Sequence, residues 1–118
     1  MANHNQLGKK GEELAAAFLT TKGYHLLHQN WRHSHYEIDI IATKNNKVHF
    51  VEVKSRSSKT FGFPEESVSK KKFRYLCLAA DEFLYKHLQY KHIQFDILSI
   101  NQLYNGEVEY FLIEDVYL

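Results

Sequence analysis

Residues 36–56 read YEIDIIATKNNKVHFVEVKSR, and the fold that we predict is built around them. Two runs rich in Val, Ile and Phe flank the polar sequence KNNK, a pattern typical of a β-hairpin. With Asn45 and Asn46 as a two-residue loop, the facing pairs follow by counting outward. They are Thr43 with Val48, Ile41 with Phe50, Asp39 with Glu52, and Glu37 with Lys54. The predicted hairpin therefore sets two carboxylates opposite each other.

Side chains of a strand alternate between its two faces, which divides the hairpin into two sets. One set contains Glu37, Asp39, Ile41, Phe50, Glu52 and Lys54. The other set is the predicted buried face and contains Ile38, Ile40, Val51 and Val53. Opposed like charges are destabilising unless something compensates them, and carboxylate oxygens are ligands that Mg²⁺ prefers. The first face is therefore a candidate metal site, although the same spacing also fits a solvated hairpin face with ordinary surface ion pairs.

Length and composition indicate one globular domain over residues 1–118. The chain has 118 residues, of which 44% are hydrophobic, and this is enough to bury a core. A single cysteine, Cys77, excludes an internal disulfide framework and fits a reducing compartment. The first ten residues contain no apolar signal segment, and no stretch approaches the roughly 20 apolar residues that span a bilayer. We therefore expect a cytoplasmic protein without a membrane partner.

Basic residues are concentrated in the first 92 positions. These positions hold all 15 Lys and Arg residues against nine of the 14 acids, whereas residues 93–118 hold the other five acids. The asymmetry favours a phosphate-binding surface, although scattered lysines on a solvated surface are the commoner reason for any one of them. The candidate phosphate-binding residues are Lys9, Lys10, Arg32, Lys54, Arg56, Lys59, Lys70, Lys71, Lys72 and Arg74.

A first helix is predicted before the hairpin, over residues 7–22. Its apolar stripe at helical spacing consists of Leu7, Leu14, Ala15 and Phe18. Gly23 is well placed to end this helix. Gly8 and Gly11 are unusual in the first turns, since glycine weakens a helix, and they would permit close approach of another backbone or a phosphate. A strand over residues 24–32 then leads to the hairpin.

A second helix is predicted after the hairpin, from an N-cap at Ser67 or Ser69 to about Leu88. Its predicted core stripe consists of Phe73, Leu76, Cys77, Ala80, Leu84 and Leu88. Residues 55–67, which precede this helix, form a loop by composition. The loop is either a segment that contacts the substrate or a plain connector.

Two more strands are predicted near the end of the chain, over residues 93–100 and 107–113. The sequence Asn105-Gly106 between them is typical of a tight turn. The predicted order is therefore α-β-β-β-α-β-β. This order indicates an α/β fold with a mixed central sheet flanked by helices.

Several blocks spaced along nearly the whole chain carry a resemblance to a known family. They are GKKGEE, AAAFL, KGY, QNWR, EIDIIA, FVEVKSR, a helix with Lys72 and Ala79-Ala80, and QFDILSI. Together they resemble the YraN-like family of uncharacterised bacterial proteins. That family belongs by fold to the restriction-endonuclease-like nucleases, whose PD-(D/E)XK motif places an acid on one strand and acid-x-Lys on the next. Its layout is also similar to that of the archaeal Holliday-junction resolvases.

The resemblance assigns roles to particular residues of this chain. It implies that Asp39 and Glu52 are the metal ligands and that Lys54 is the motif lysine. Val53 is the intervening residue, whose backbone carbonyl often joins the metal in such folds. Glu12 matches the helix-borne acid that completes many of these sites. The implied cofactor is Mg²⁺ or Mn²⁺.

The resemblance implies a metal-dependent nuclease that hydrolyses phosphodiester bonds in nucleic acid, with DNA, including branched DNA, as the expected partner. A homodimer is expected if both strands of a duplex or junction are cut. Two alternatives stay open, because a fold does not guarantee a chemistry. One is a nucleic-acid-binding module with little or no catalytic activity. The other is a protein-interaction domain that uses the acidic C-terminal part with Tyr104, Tyr110 and Tyr117.

Overall fold

The computed structural model describes residues 4–57 and 69–116, which form a five-stranded sheet with a helix on each face. The elements are α1 (His4–Thr21), β1 (His25–His33), β2 (Tyr36–Lys44), β3 (Lys47–Ser57), α2 (Lys70–Lys86), β4 (Ile93–Gln102) and β5 (Val108–Ile113). Their order confirms the predicted α/β fold. The strands lie in chain order across the sheet, and every neighbouring pair is antiparallel except β3 and β4. The sheet is therefore mixed, with β3 at its centre.

The turn between β2 and β3 has the geometry that its sequence favours. Asn45 and Asn46 have φ angles of 53° and 61°, and two left-handed central residues are what a type I′ hairpin turn requires. Thr43 pairs with Val48 and Ile41 with Phe50, which confirms the inner part of the predicted register. Asparagine adopts this conformation more readily than most residues.

The ladder between β2 and β3 ends where Ile40 pairs with Val51. It does not extend to the two outer predicted pairs, Asp39 with Glu52 and Glu37 with Lys54. On the other edge of β2, the pairing with β1 continues past this point, and the side chains of Glu37 and Arg32 form an ion pair with 3.4 Å between Oε2 and Nη2. The outer half of the predicted register is therefore wrong, because β2 leaves β3 just before the two acids.

Two apolar clusters fill the space on either side of the sheet. The cluster beneath α1 contains Ala15, Leu19, Tyr24, Ile40, Ala42, Val51, Leu98 and Ile100. The cluster beneath α2 contains Ile38, Ile41, Val48, Phe50, Leu76, Ala79, Ala80 and Phe83. Ile38 and Ile40 thus lie on opposite faces, so the prediction that they share one face is wrong. The alternation of β2 changes at Asp39, the residue between them.

The C-terminal end of α1 has the predicted glycine. Gly23 has a φ of +93°, and the N–H of Tyr24 donates to the carbonyl of Leu19 at 3.0 Å. This left-handed residue with its backbone hydrogen bond is a common helix stop. Leu7 and Gly8 lie within α1, but the structure does not describe the environment of these two residues, so their predicted roles are not tested.

Close approach between α1 and β3 explains the other helical glycine. A Cβ atom added to Gly11 would lie 2.7 Å from both Cβ and Oγ of Ser55. Such a distance is shorter than real contacts allow, so the helix crosses β3 at a point where no side chain fits. The prediction that Gly11 permits close approach of another element is therefore confirmed, although the nearest atoms belong to the side chain of Ser55 and not to a backbone.

α2 begins at the predicted cap but ends earlier than predicted. The hydroxyl of Ser69 accepts a hydrogen bond from the N–H of Lys72 at 3.1 Å, as an N-cap side chain does. The helix ends at Lys86, which leaves Leu88 69% exposed and outside the core. Cys77 is half-buried rather than fully buried. The alternative cap Ser67 lies outside the described residues, as does most of the predicted loop. No helix in the described part of the chain is long and apolar enough to cross a membrane.

Candidate functional site

Where the backbone ladder between β2 and β3 stops, the carboxylate of Asp39 forms the next hydrogen bond between the two strands. Its Oδ2 atom accepts a hydrogen bond from the backbone N–H of Val53 at 2.8 Å. The side chain of Asp39 therefore supplies the acceptor for the N–H of Val53 in place of a backbone carbonyl of β2. This contact fixes the Asp39 carboxylate next to β3, at the residue that directly follows Glu52.

Burial and a neighbouring acid change the ionisation of Asp39. Burial raises the pKa of its carboxyl group to about 7, and the negative charge of Glu52 acts in the same direction. The hydrogen bond from Val53 and the charge of Lys72 lower this pKa without cancelling the rise. The two carboxylates are thus close enough to repel each other, which is the relationship that the sequence predicted for them.

Glu52 is the most buried charged side chain of this group, with 7% of it exposed. Two ammonium groups approach the same oxygen, Oε1, with Nζ of Lys72 at 2.6 Å and Nζ of Lys54 at 3.5 Å. Opposite charges at such distances offset much of the cost of burying the carboxylate. Glu52 is therefore held between lysines from β3 and from α2.

The two lysines respond to this environment in opposite ways. Burial lowers the pKa of Lys54, and the adjacent ammonium of Lys72 lowers it further. Burial also acts to lower the pKa of Lys72, but the contacts with Glu52 and Lys54 and the negative charges of Glu52 and Asp39 together outweigh it, so this pKa is raised. Lys72 is the fixed cation of the pair, and Lys54 is the lysine whose proton is held less tightly.

The sequence indicated Lys72 as one of ten candidate phosphate-binding residues and as part of a family block, but its contact with Glu52 was not predicted. The helical spacing of α2 indicates that Lys72 lies on the side of the helix that faces the sheet, because Lys72 precedes Leu76 by four residues and Ala79 by seven. Both of those residues are buried against the sheet. A lysine in phase with a buried stripe faces the sheet at the first turn of its helix. That spacing is the signal that identifies it.

Glu12 lies at the border of this group. Its Oε2 atom accepts a hydrogen bond from Nδ2 of Asn30 at 3.3 Å. Asn30 has a φ of 54° and lies between Gln29 and Trp31 of β1, whose partners flank Asp39 on β2. Glu12 therefore reaches the strand position next to Asp39, but the structure shows no contact between their carboxylates.

The remaining predicted phosphate-binding residues are spread around the group. Lys70, Lys71 and Arg74 are exposed on the first turns of α2, next to Lys72. Arg56 follows Lys54 on β3. Lys9 and Lys10 are exposed on α1, Arg32 forms the ion pair with Glu37, and Lys59 lies outside the described residues. The start of α2 thus carries the densest group of cations beside the carboxylates.

The residues at this site fit a divalent metal ion of the Mg²⁺ type. Asp39 and Glu52 offer hard oxygen donors. Burial raises the pKa of Asp39 and the charge of Glu52 adds to the rise, and a bound cation would offset both effects. The described part of the chain has no group of three or more metal-binding side chains. Mg²⁺ is commonly held by one or two carboxylates with water and phosphate oxygens as the other ligands, so two acids suffice.

A second pair of buried polar side chains lies elsewhere in the sheet. Nδ1 of His49 lies 2.7 Å from Oδ2 of Asp96, and Oδ1 of Asp96 accepts from Nε2 of Gln94 and from the N–H of Asp115. Asp96 is 1% exposed, so it does not belong to an acidic surface. All its acceptors are used within the fold, which indicates a structural role.

The tyrosines considered for a protein-interaction surface also have different environments. Tyr104 is exposed, whereas Tyr110 stacks on Phe18 of α1 with 4.4 Å between ring centroids. Tyr117 lies outside the described residues. Of these three tyrosines, Tyr104 is therefore the one whose ring is exposed among the described residues.

Comparisons with known proteins agree on one family. Residues 11–100 match the uncharacterised protein family UPF0102. A UPF0102 protein of Bacteroides thetaiotaomicron is 43% identical over 100 residues, which cover 85% of this chain and 83% of that protein. A UPF0102 protein of Phocaeicola vulgatus is 40% identical over 116 residues, covering 98% and 93%. One of Flavobacterium psychrophilum is 45% identical over 100 residues, covering 85% and 84%.

Proposed function

The chain belongs to the uncharacterised protein family UPF0102, and we propose that it is a metal-dependent nuclease that hydrolyses phosphodiester bonds in nucleic acid. One observation supports this proposal most strongly. The carboxylate of Asp39 is fixed at the end of a strand ladder, beside a buried Glu52 that holds two lysines on one oxygen. Acids and lysines in this arrangement suit the binding of a cation and a phosphate at the same point.

The carboxylates supply the metal site of the proposed enzyme. Asp39 and Glu52 would hold Mg²⁺ or Mn²⁺, and the carbonyl of Val53 is the third ligand that the family resemblance implies. Such an ion supplies Lewis-acid polarisation of the phosphate and a bound water of lowered pKa. The N–H of Val53 fixes the Asp39 carboxylate before any substrate arrives, because this hydrogen bond is already made within the fold.

The two lysines act on the phosphate. Lys54 and Lys72 place positive charge beside Glu52, where negative charge develops on the phosphate as its bond to the leaving oxygen breaks. The lowered pKa of Lys54 makes it the better group to donate or accept a proton there. The exposed cations Lys70, Lys71 and Arg74 then hold the flanking backbone without reading bases.

Cleavage of a defined set of substrates tests this proposal. Labelled linear duplex, flapped, four-way and single-stranded DNA, with matching RNA, would be incubated in Mg²⁺ or Mn²⁺. Asp39→Ala and Glu52→Ala would be purified in parallel. We expect the wild type to cut at least one DNA substrate and both variants to lose the activity. Equal cutting by the variants would identify a contaminating nuclease and contradict the proposal.

One observation favours a second candidate, which is binding without cleavage. Lys72 already occupies Oε1 of Glu52 at 2.6 Å, so a metal ion would have to displace it or use the other oxygen. A module that only binds nucleic acid would keep this ion pair intact. It would bind DNA with an affinity that falls with salt but does not depend on metal. Measuring affinity against salt with and without Mg²⁺ separates the two candidates.

A further inference from the structure

A cavity of about 190 Å³ opens beside Glu52 and Lys72. It lies between the start of β2 and the first turns of α2, and Tyr36, Glu37 and Tyr75 contribute to its wall. Because Glu52 and Lys72 belong to both, the cavity is continuous with the carboxylates proposed to bind metal. A group bound in it would sit directly next to the phosphate that is cut.

Aromatic rings form one side of this cavity. The ring of Tyr36 lies 5.4 Å from that of Tyr75 and 4.5 Å from that of His35, measured between centroids. Both pairs are tilted, at 41° and 50°, so the rings do not stack flat on each other. Tyr75 is 39% exposed, which leaves its ring accessible. Such a wall suits a flat, aromatic group.

The charges around the cavity oppose a phosphate as its occupant. Within the described part of the chain, the lining contains the carboxylates of Glu37 and Glu52 against the single ammonium of Lys72, and each carboxylate is already ion-paired, so no free cation lines the cavity for a phosphate. A neutral ring with polar edges is better suited, because carboxylates accept hydrogen bonds and the ammonium of Lys72 donates them. The volume is below the roughly 300 Å³ of pockets for drug-sized ligands, so the occupant is a small ring system.

Cations near the cavity can take the phosphates of the same nucleotide. Nζ of Lys71 lies 5.8 Å from the ring centroid of Tyr75. Lys70 and Arg74 are exposed on the same turns of α2. An aromatic wall with neighbouring cations is the combination with which proteins bind unpaired nucleotides, since the rings stack on the base and the cations track the backbone.

We propose that this cavity receives one unpaired nucleobase next to the phosphate that is cut, an inference that rests on the proposed function. The substrate is then a nucleic acid with at least one unpaired nucleotide at the cleavage point, as in a single strand, a flap or a branch. A fully paired duplex is a poor substrate, because a base must first leave the stack at a cost of a few kcal/mol.

The test measures stacking of a base directly. Asp39→Asn, which would bind without cutting, is titrated into single-stranded and flapped DNA that carry one 2-aminopurine at successive positions. Emission of this base analogue falls when it stacks on an aromatic ring. We expect the loss of emission at one position, adjacent to the bond that the wild type cuts. Adding Tyr75→Ala should remove this loss and weaken binding about 5- to 100-fold.

Matched variants separate stacking from general damage. Tyr75→Phe keeps the ring and should keep both the loss of emission and the affinity. Tyr85→Ala removes an exposed tyrosine of the same helix that does not line the cavity, so it should bind like the Asp39→Asn parent. In the wild type, an abasic site at the same position should slow cleavage by a similar factor.

Two results overturn the inference, and they differ in what they leave standing. If the wild type cuts DNA but Tyr75→Ala behaves like Tyr85→Ala, the cavity does not hold a base and the nuclease proposal survives. If the wild type neither cuts nor binds any nucleic acid of the set, the nuclease proposal fails and this inference fails with it.

Discussion

The ammonium group of Lys72 lies 2.6 Å from Oε1 of Glu52, so a helix on one face of the sheet reaches a carboxylate on its central strand. Lys54 approaches the same oxygen from within the strand. The carboxylate of Glu52 therefore binds two cations. Asp39, the second carboxylate, has no cation at hydrogen-bonding distance among the described residues.

Lys72→Ala should lower the rate of cleavage about 10- to 100-fold, because one positive charge beside the phosphate is lost while Lys54 remains. It should also lower the free energy of unfolding by about 1–2 kcal/mol, since Glu52 is buried and loses its closer partner. Lys71→Ala is the matched control, because Lys71 is exposed and neighbours Lys72 in α2. Its expected effect is about threefold or less on cleavage. Equal effects of the two substitutions would show that Lys72 acts only as a surface charge.

Asp39→Asn should stabilise the metal-free protein at pH 8 but not at acid pH. Because the folded-state pKa of about 7 exceeds the ordinary value of 3.8, the wild type gains stability as pH falls from above 7 towards 4. The variant does not titrate there. Its advantage should therefore be largest above pH 7, at about 1–3 kcal/mol, and vanish near pH 4. Urea unfolding at both pH values measures it, and a variant less stable than the wild type at pH 8 would contradict the raised pKa.

Mg²⁺ should stabilise the wild type more at pH 8 than at pH 6, because the carboxyl group of Asp39 is ionised at pH 8 and largely protonated at pH 6. At a free concentration about 100-fold above its Kd, a ligand of the folded state adds about 2.7 kcal/mol. Thermal unfolding with Mg²⁺, against NaCl of matched ionic strength, measures the difference. Asp39→Asn should lose most of it. If Mg²⁺ raises the unfolding temperature of the wild type and of Asp39→Asn by the same amount, the ion binds at another site.

Gly11→Ala should destabilise the protein by about 1–3 kcal/mol despite the better helix propensity of alanine, because its Cβ would lie 2.7 Å from Cβ of Ser55. Ser55→Gly removes the opposing atom. The double variant should therefore recover more stability than the sum of the two single changes predicts. Denaturant unfolding of all four proteins completes the cycle. Additive effects would show that the helix and β3 are not in contact at this point.

Asp96→Ala should cost about 3–5 kcal/mol of stability, because it leaves His49 without its carboxylate in a buried position. Gln94 and the N–H of Asp115 lose an acceptor as well. The cleavage rate of Asp96→Ala, divided by its measured folded fraction, should equal that of the wild type. A specific loss of cleavage would mean that this pair belongs to the chemistry and not only to the fold.

Local patterns predicted much of this architecture. The Asn45-Asn46 turn, the glycine after α1 and the cap at Ser69 each depend on a few neighbouring residues. The number, type and order of elements follow from such signals together with apolar spacing. Helix ends were less predictable. Leu88 fits the stripe of α2 by spacing, yet the helix stops two residues earlier.

Features that depend on distant residues were not predictable from the sequence. The change of face at Asp39 accompanies a hydrogen bond from Val53 on the next strand, and this hydrogen bond replaces the regular ladder. A period of two over β2 therefore places Ile38 wrongly. The partner of Lys72 likewise depends on how α2 lies over the sheet, although its phase relative to Leu76 was readable.

The parallel pairing of β3 with β4 has a consequence for the order of folding. β1, β2 and β3 are joined by tight turns, so their pairing closes short loops and forms readily. β3 meets β4 only after the chain has crossed over through α2. We therefore expect Asp39 and Glu52 to come together early, through the local pairing of β2 with β3. Because Lys72 lies in the crossover, we expect it to join them only when the less local pairing of β3 with β4 forms. Affinity for phosphate would then be gained late in refolding, after most of the sheet has formed.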